Sequence, residues 1–473
     1  MSSHLHPHKW RPPRTLSGTA LIIAVLAGCQ SYEPAPLDLA RYSNRLHHRL
    51  IEVEPLSAFA RRLTAGHEIP SRFDPTDGLT VAEGEVLALF FNPELRIARL
   101  EAGVALADWE NAGLWEDPVF GFDGAEIISP QSPFEYGLML SLTIPISGRL
   151  DIEKERAGAH YETRLREIVD AEWRTRADVR SAWLEWTVSA EQVDLIDDAI
   201  AHLEPIAAMA SQYESAGEIT RTQRRLFQIE LTDLQIRRTE AELTIVHTHT
   251  ALLELLGLPP NSNLEFLPTT TSTRPPLMDE DTARLIESNT RLAVDISAYR
   301  VAEDTLRLEV RKQFPDIVVG GGYGTEFNDS RAMFGVSVPI PVFNANRGPI
   351  ATARAQREVA RARAETTLAH LERAVAEARL TLDIATHQMN RYREHMIPLL
   401  DTQSEEVRRV AELGEIDALL MLDTTTRHLS AKQRLLELQQ RAQQASITLH
   451  QLYGPASPQH PAPIAQPSTE VPS

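Results

Sequence analysis

A chain of 473 residues is long enough for two or three domains, and 24% of it is charged while only 6% is aromatic. Its net charge of −19 excludes the basic face that nucleic-acid binding requires, so no nucleic-acid partner is expected. The single cysteine excludes an internal disulfide.

The N-terminus reads as an export signal. Lys9, Arg11 and Arg14 precede the apolar run Leu21 to Leu26, which is too short to span a bilayer as a stable helix. The run ends in Leu26-Ala27-Gly28-Cys29, a sequence that resembles the bacterial lipobox. Small residues at 27 and 28 admit a signal peptidase, and the Cys29 thiol is the expected site of a covalent lipid. Gln30 stands where aspartate would favour inner-membrane retention, so sorting to the outer membrane is expected. Residues 1–28 are therefore a lipoprotein signal peptide, and 29–76 a polar, lipid-anchored linker.

The remainder of the chain is an internal duplication. Asn92-Pro93-Glu94-Leu95 recurs as Asn289-Thr290-Arg291-Leu292, Pro118 as Pro315, Gly217-Glu218-Ile219 as Gly414-Glu415-Ile416, and Leu256-Gly257 as Tyr453-Gly454. One constant offset relates all four pairs. Repeat 1 covers 77–267 and repeat 2 covers 277–454, with a Thr/Pro-rich linker at 268–276 and a tail at 455–473 expected to be disordered. Two copies are too few for a solenoid and suit a pseudo-symmetric wall.

Within each repeat the order is a helical segment, a β-hairpin and a long helix pair. The first helical segments cover roughly 80–113 and 280–312, and the hairpins 117–147 and 314–343. Tyr136, Leu138, Leu140, Leu142, Ile144 and Ile146 alternate with small or polar residues, and so do Phe334, Val336, Val338, Ile340 and Val342. A lipid-facing barrel wall alternates in this way, as does a hairpin on a soluble core. The run Val319-Gly320-Gly321-Gly322-Tyr323-Gly324 opens no helix, so it reads as a small-residue strand and not as a phosphate loop. Val179, Trp183, Trp186, Ala190, Val193, Ile200, Leu203 and Ala207 form a narrow apolar seam, as do Leu422, Leu429 and Leu436. Residues 150–214, if helical throughout, reach roughly 95 Å at 1.5 Å per residue. Pro205 and Pro398 lie shortly before the glycines that separate the helices of each pair, and a kink is expected there.

Four strands cannot close a barrel, for which about eight is the practical minimum. An open sheet edge does not survive in lipid, so membrane insertion would require several chains to pool their strands. The fold class expected is mixed α and β: a duplicated, long α-helical coiled-coil barrel plus a four-stranded contribution to a shared transmembrane β-barrel. A periplasmic coiled-coil scaffold lipoprotein with soluble hairpins is the alternative. No Ser/His/Asp arrangement or HExxH motif is present, so no enzyme and no catalytic residue is expected. His47-His48 is isolated, His247 and His249 point different ways on a helix, and no metal ligation is expected from them.

These features together resemble the TolC-like outer-membrane factor family, over about 77–454. Asn92-Pro93-Glu94-Leu95 resembles its first-helix motif, and Pro339 to Gly348 resembles the strand-to-helix junction of its CzcC-like heavy-metal branch. Gly414 through Lys432 resembles the tip and returning helix of the second half. The resemblance implies a homotrimer whose strands form one barrel and whose helices continue it across the periplasm. It implies docking to a periplasmic adaptor and an inner-membrane RND pump, and passive export of solutes, heavy-metal cations among them. A type I secretion exit duct is the other reading. No cofactor is implied beyond the lipid on Cys29. The resemblance places adaptor docking at Gly217 and Glu218 and at Gly414, Glu415 and Asp417. The family's periplasmic gate uses two aspartates on one helix. The second falls on Asp423, and the first on Leu420, where this chain departs from the pattern.

Overall fold

The computed structural model describes residues 32–49, 52–63, 73–74, 77–126, 134–268, 282–327, 329–412 and 417–455. The chain divides into two units, Met1–Arg49 and Leu50–Ser473. In the first, helix α1 (Leu39–His47) starts where the Asp38 carboxylate accepts the Arg41 N–H. All later elements belong to the second.

Residues 29–76 are not merely a polar linker. Besides α1 they contain α2 (Val53–Leu63), whose Leu56 and Ala60 are buried in the main hydrophobic cluster. The pattern is hidden in the sequence because α2 is a short helix among polar neighbours. Helix α3 (Val81–Phe91) opens on a reciprocal capping box between Thr80 and Glu83. It is apolar nearly all round because it is enclosed. Trp183 of α5 (Arg149–Ala216) presses on it where Gly84 leaves room; a Cβ there would lie 2.7 Å from the indole ring. Phe266, Leu252, Leu253 and Leu256 close the cluster.

The first helical segment of each repeat is broken, not continuous. Helix α3 ends at Asn92, whose side chain accepts the N–H groups of Glu94 and Leu95, and α4 (Pro93–Glu110) begins with Pro93. In the second repeat α7 (Thr282–Ser288) ends at Asn289, which caps α8 (Thr290–Arg311) through the Leu292 N–H. Both asparagines use their amide nitrogens alike: Asn92 Nδ2 donates to Leu255 O at 3.1 Å, and Asn289 Nδ2 to Leu452 O at 2.7 Å. The glycines next to those carbonyls also correspond. Gly257 (φ +67°) packs on the Phe91 carbonyl and Gly454 (φ +70°) on the Ser288 carbonyl, where a Cβ would collide with backbone. The duplication is thus one joint built twice, with the same atoms in the same roles.

From α4 the chain enters β1 (Val119–Ala125) and β2 (Glu135–Ile144); from α8 it enters β3 (Ile317–Glu326) and β4 (Asp329–Ser337). The two hairpins join through β2 and β3 into one antiparallel sheet of order β1-β2-β3-β4. The alternation at 334–342 continues past the strand, which ends at Ser337. Pro339 and Pro341 have no N–H for a ladder. At the return to the helices Gly148 (φ +67°) precedes α5, and Ala345 (φ 44°) and Asn346 (φ 53°) precede α9 (Arg347–Arg391). Asn346 holds that turn by donating to Glu309 O at 2.7 Å and to its carboxylate at 2.8 Å.

Helix α5 runs 68 residues without a break, through Pro205, a length of about 100 Å at 1.5 Å per residue. Helix α6 (Arg221–Leu255) returns along it. In the second repeat α9 passes through a π-helical turn at Tyr392–Met396 into α10 (Ile397–Glu412), and α11 (Ala418–Tyr453) returns. Pro398 explains the turn. Its ring crowds the carbonyl one turn earlier and its nitrogen donates nothing, so the ladder widens, and Ile397 N–H bonds to Tyr392 O.

Candidate functional site

Two regions carry the chemistry, the sheet and the helix tips. In the sheet, register decides which side chains share a face. Phe120 pairs with Leu140, Leu140 with Gly321, and Gly321 with Phe334. One step along, Phe122, Leu138, Tyr323 and Ala332 align, and beyond Leu140 come Leu142, Val319 and Val336. One face is therefore apolar over its whole breadth. Phe334 is 94% exposed, Val336 69%, Phe120 66% and Leu140 55%. The opposite face is mixed: small or polar Gly121, Asp123, Gly137, Ser141, Thr143, Gly320, Gly322, Gly324, Arg331, Gly335 and Ser337 share it with Val119, Met139, Val318 and Met333. Near the β3–β4 turn Arg331 pairs with Glu326.

The first tip lies at the end of α5. Gly217 (φ +84°) sits in the left-handed C-cap position and Glu218 N–H bonds back to Tyr213 O. Ile219 is buried, while Glu218 is exposed. Thr220 forms a capping box with Gln223, and an ion pair between Arg224 and Glu214 bridges the two helices. At the second tip Gly414 and Glu415 lie outside the described residues. Asp417 caps α11, accepting from the N–H groups of Leu419 and Leu420 at 3.1 Å each.

Leu420 is 42% exposed. Asp423 lies on the same helix with its side chain half exposed, and its Oδ2 accepts from Arg427 Nε at 2.7 Å. That pairing escapes sequence reasoning, although the i,i+4 spacing is its signal. The next residue, Thr424, is buried, with Gln403 Nε2 of α10 3.4 Å from its Oγ1. Below it is a cavity of about 690 Å3, walled by α5, α6, α10 and α11 and lined among others by Met209, Tyr213, Phe227 and Met421. His428 projects into it with Nε2 3.0 Å from Asp401 Oδ1 of α10. Burial and then Lys432 hold the imidazole below its ordinary range, against the pull of Asp401.

Among the described residues no three His, Cys, Asp or Glu side chains gather around one point that could hold a metal ion. His249 packs on Phe266, with centroids 4.9 Å apart. The glycine-rich run 320–324 is strand β3, as its context in sequence predicts. No described helix is long and apolar enough to cross a membrane. Cys29 lies outside the described residues.

Residues 283–455 match the family model described as outer membrane efflux protein. The chain resembles that family over its second repeat. It is 23% identical over 314 residues to the cobalt-zinc-cadmium resistance protein CzcC of Cupriavidus metallidurans, a match covering 64% of this chain and 74% of that protein. By fold it is similar to CusC, with a TM-score of 0.70 at 17% identity over 79% of this chain and 92% of that one. It is likewise similar to the Campylobacter jejuni CmeC outer membrane channel, with a TM-score of 0.68 at 13% identity over 90% and 94%. These structural likenesses extend through both repeats, so the chain shares their fold, a wall of long helices with a small antiparallel sheet.

Proposed function

We propose that this chain is one subunit of a trimeric outer-membrane efflux conduit that passes solutes from the periplasm to the outside. The observation that carries the reading is the sheet, which is apolar across one face, mostly small or polar across the other, and bounded by β1 and β4. Lipid accepts such a face only when both edges are paired, and three copies placed edge to edge pair every edge. A soluble scaffold would leave Phe334, Val336, Phe120 and Leu140 in water as one continuous patch, an unfavourable arrangement for a monomer. The conduit performs no chemistry; the helices continue its wall, and the tips are the surfaces a periplasmic adaptor and an inner-membrane pump would meet. Heavy-metal cations are the proposed cargo, on the likeness to the cobalt-zinc-cadmium resistance protein.

The experiment is extraction of membranes expressing the full chain. The protein should need detergent, run as an oligomer before heating and as a monomer after, and form ion-conducting channels in planar bilayers. Release by salt alone as a monomer would return the reading to a scaffold. The lipid is proposed at Cys29. A Cys29→Ala form should take up no labelled fatty acid, and continued labelling would move the anchor elsewhere. One acyl chain holds a membrane only marginally, so lipid and barrel act together.

A further inference from the structure

Where the two repeats meet, α5 carries two arginines that share one carboxylate. Glu85 of α3 is 2% exposed. Its Oε2 takes Arg176 Nε at 2.6 Å and its Oε1 takes Arg180 Nε at 2.5 Å. The Arg176 side chain is 6% exposed and that of Arg180 13%. Among the described residues no second carboxylate pairs with either. The enclosed cluster thus holds two positive charges against one negative, and burying an unbalanced charge is strongly unfavourable unless something neutralises it.

One donor in the cluster is unused. Arg176 Nη1 is buried and has no hydrogen-bond partner among the described residues. Arg176 lines a small cavity together with Trp173, Ala177, Arg180, Ile447, His450 and Gln451. The cavity is small. No carboxylate lines it. Trp173 covers one side, its ring 5.1 Å from the Arg176 guanidinium and stacked on His450 at 5.3 Å. The Trp173 indole N–H donates to Gln451 O at 3.0 Å, so α5 and α11 are pinned together around the cavity. Burial, with Arg180 and Arg176 next, lowers the His450 pKa to about 4, so the imidazole adds no positive charge at neutral pH.

We propose that this cavity is a structural site for a small monovalent anion, chloride in the cell, held by Arg176 Nη1 and the Arg180 guanidinium. The anion balances the second arginine and supplies the acceptor that Arg176 lacks. A water molecule would fill the space but leave the charge uncompensated. The site locks the seam between the two repeats, since its walls come from α5 of the first and α11 of the second.

The test uses the full-length oligomer in detergent. Crystals grown with bromide replacing chloride should show an anomalous peak in contact with Arg176 Nη1. In solution, Tm should be higher in chloride or bromide than in gluconate at equal ionic strength, because a ligand bound only by the folded state raises stability. Arg176→Met removes the unused donor while Glu85 keeps Arg180. In that variant the halide-dependent shift should vanish. If it does not fold, the wild-type bromide map decides alone. A wild-type map with no bromide in the cavity overturns the proposal, as does a Tm indifferent to halide.

Discussion

At the scale of single residues, the least legible group is Glu85. It lies in Val81-Ala82-Glu83-Gly84-Glu85-Val86-Leu87, where local pattern assigns a carboxylate to water. Its partners are 91 and 95 positions away, and only tertiary structure brings them within bonding distance. Asn92, by contrast, is readable, because Asn before Pro is a local signal for a cap and a first helical turn. The consequence for Glu85 is testable. Glu85→Gln removes the carboxylate that both buried guanidinium groups share, and removing one partner of a buried ion pair costs about 3–5 kcal/mol. Denaturant unfolding of the variant should show that loss. A loss near zero would mean water reaches the arginines.

At the scale of elements, the helices are legible in length and the sheet in pattern. The apolar period of two along 136–146 and 334–342 defines both faces. The strands do not reveal the partner across the repeat boundary, because the β2–β3 register is set by contacts between segments some 180 positions apart. Sequence overstates the far end of the fourth strand for a related reason, since alternation persists through Pro339 and Pro341 where no ladder can form. The π turn before Pro398 is announced in the sequence only as a kink. If the apolar face meets lipid, a cation there is expelled strongly. Leu140→Arg and Val336→Arg should each cost about 2–4 kcal/mol in a barrel. The heat-modifiable oligomer should be reduced or absent in both variants, while Ser141→Arg on the opposite face should assemble. Normal assembly of Leu140→Arg and Val336→Arg together would place that face in water or against protein.

At the scale of the whole molecule, the proposed conduit needs a constriction, and the α11 tip supplies its material. Asp423 is the gate residue that the family resemblance proposes, yet each copy sets Arg427 against it one turn along the same helix. Three copies around one axis would therefore make a ring of carboxylates partly masked by their own arginines. The two residues should act in opposite directions. Asp423→Ala removes the acidic ring, so single-channel conductance should rise and block by divalent cations should disappear. Arg427→Ala unmasks the ring, so divalent block should appear at lower concentration than in wild type. The Arg427 side chain is exposed and that of Asp423 half exposed, so raising salt should weaken the block, with screening over about 8–10 Å at physiological ionic strength. Leu420, one turn before Asp423, stands where the family pattern has its other aspartate. If it narrows the pore by bulk, Leu420→Ala should raise conductance and leave divalent block intact. The decisive comparison is between Asp423→Ala and Arg427→Ala under one salt condition. Equal block in both variants would make the pair a solvated helix surface, and the constriction would then have to be sought elsewhere on the tips.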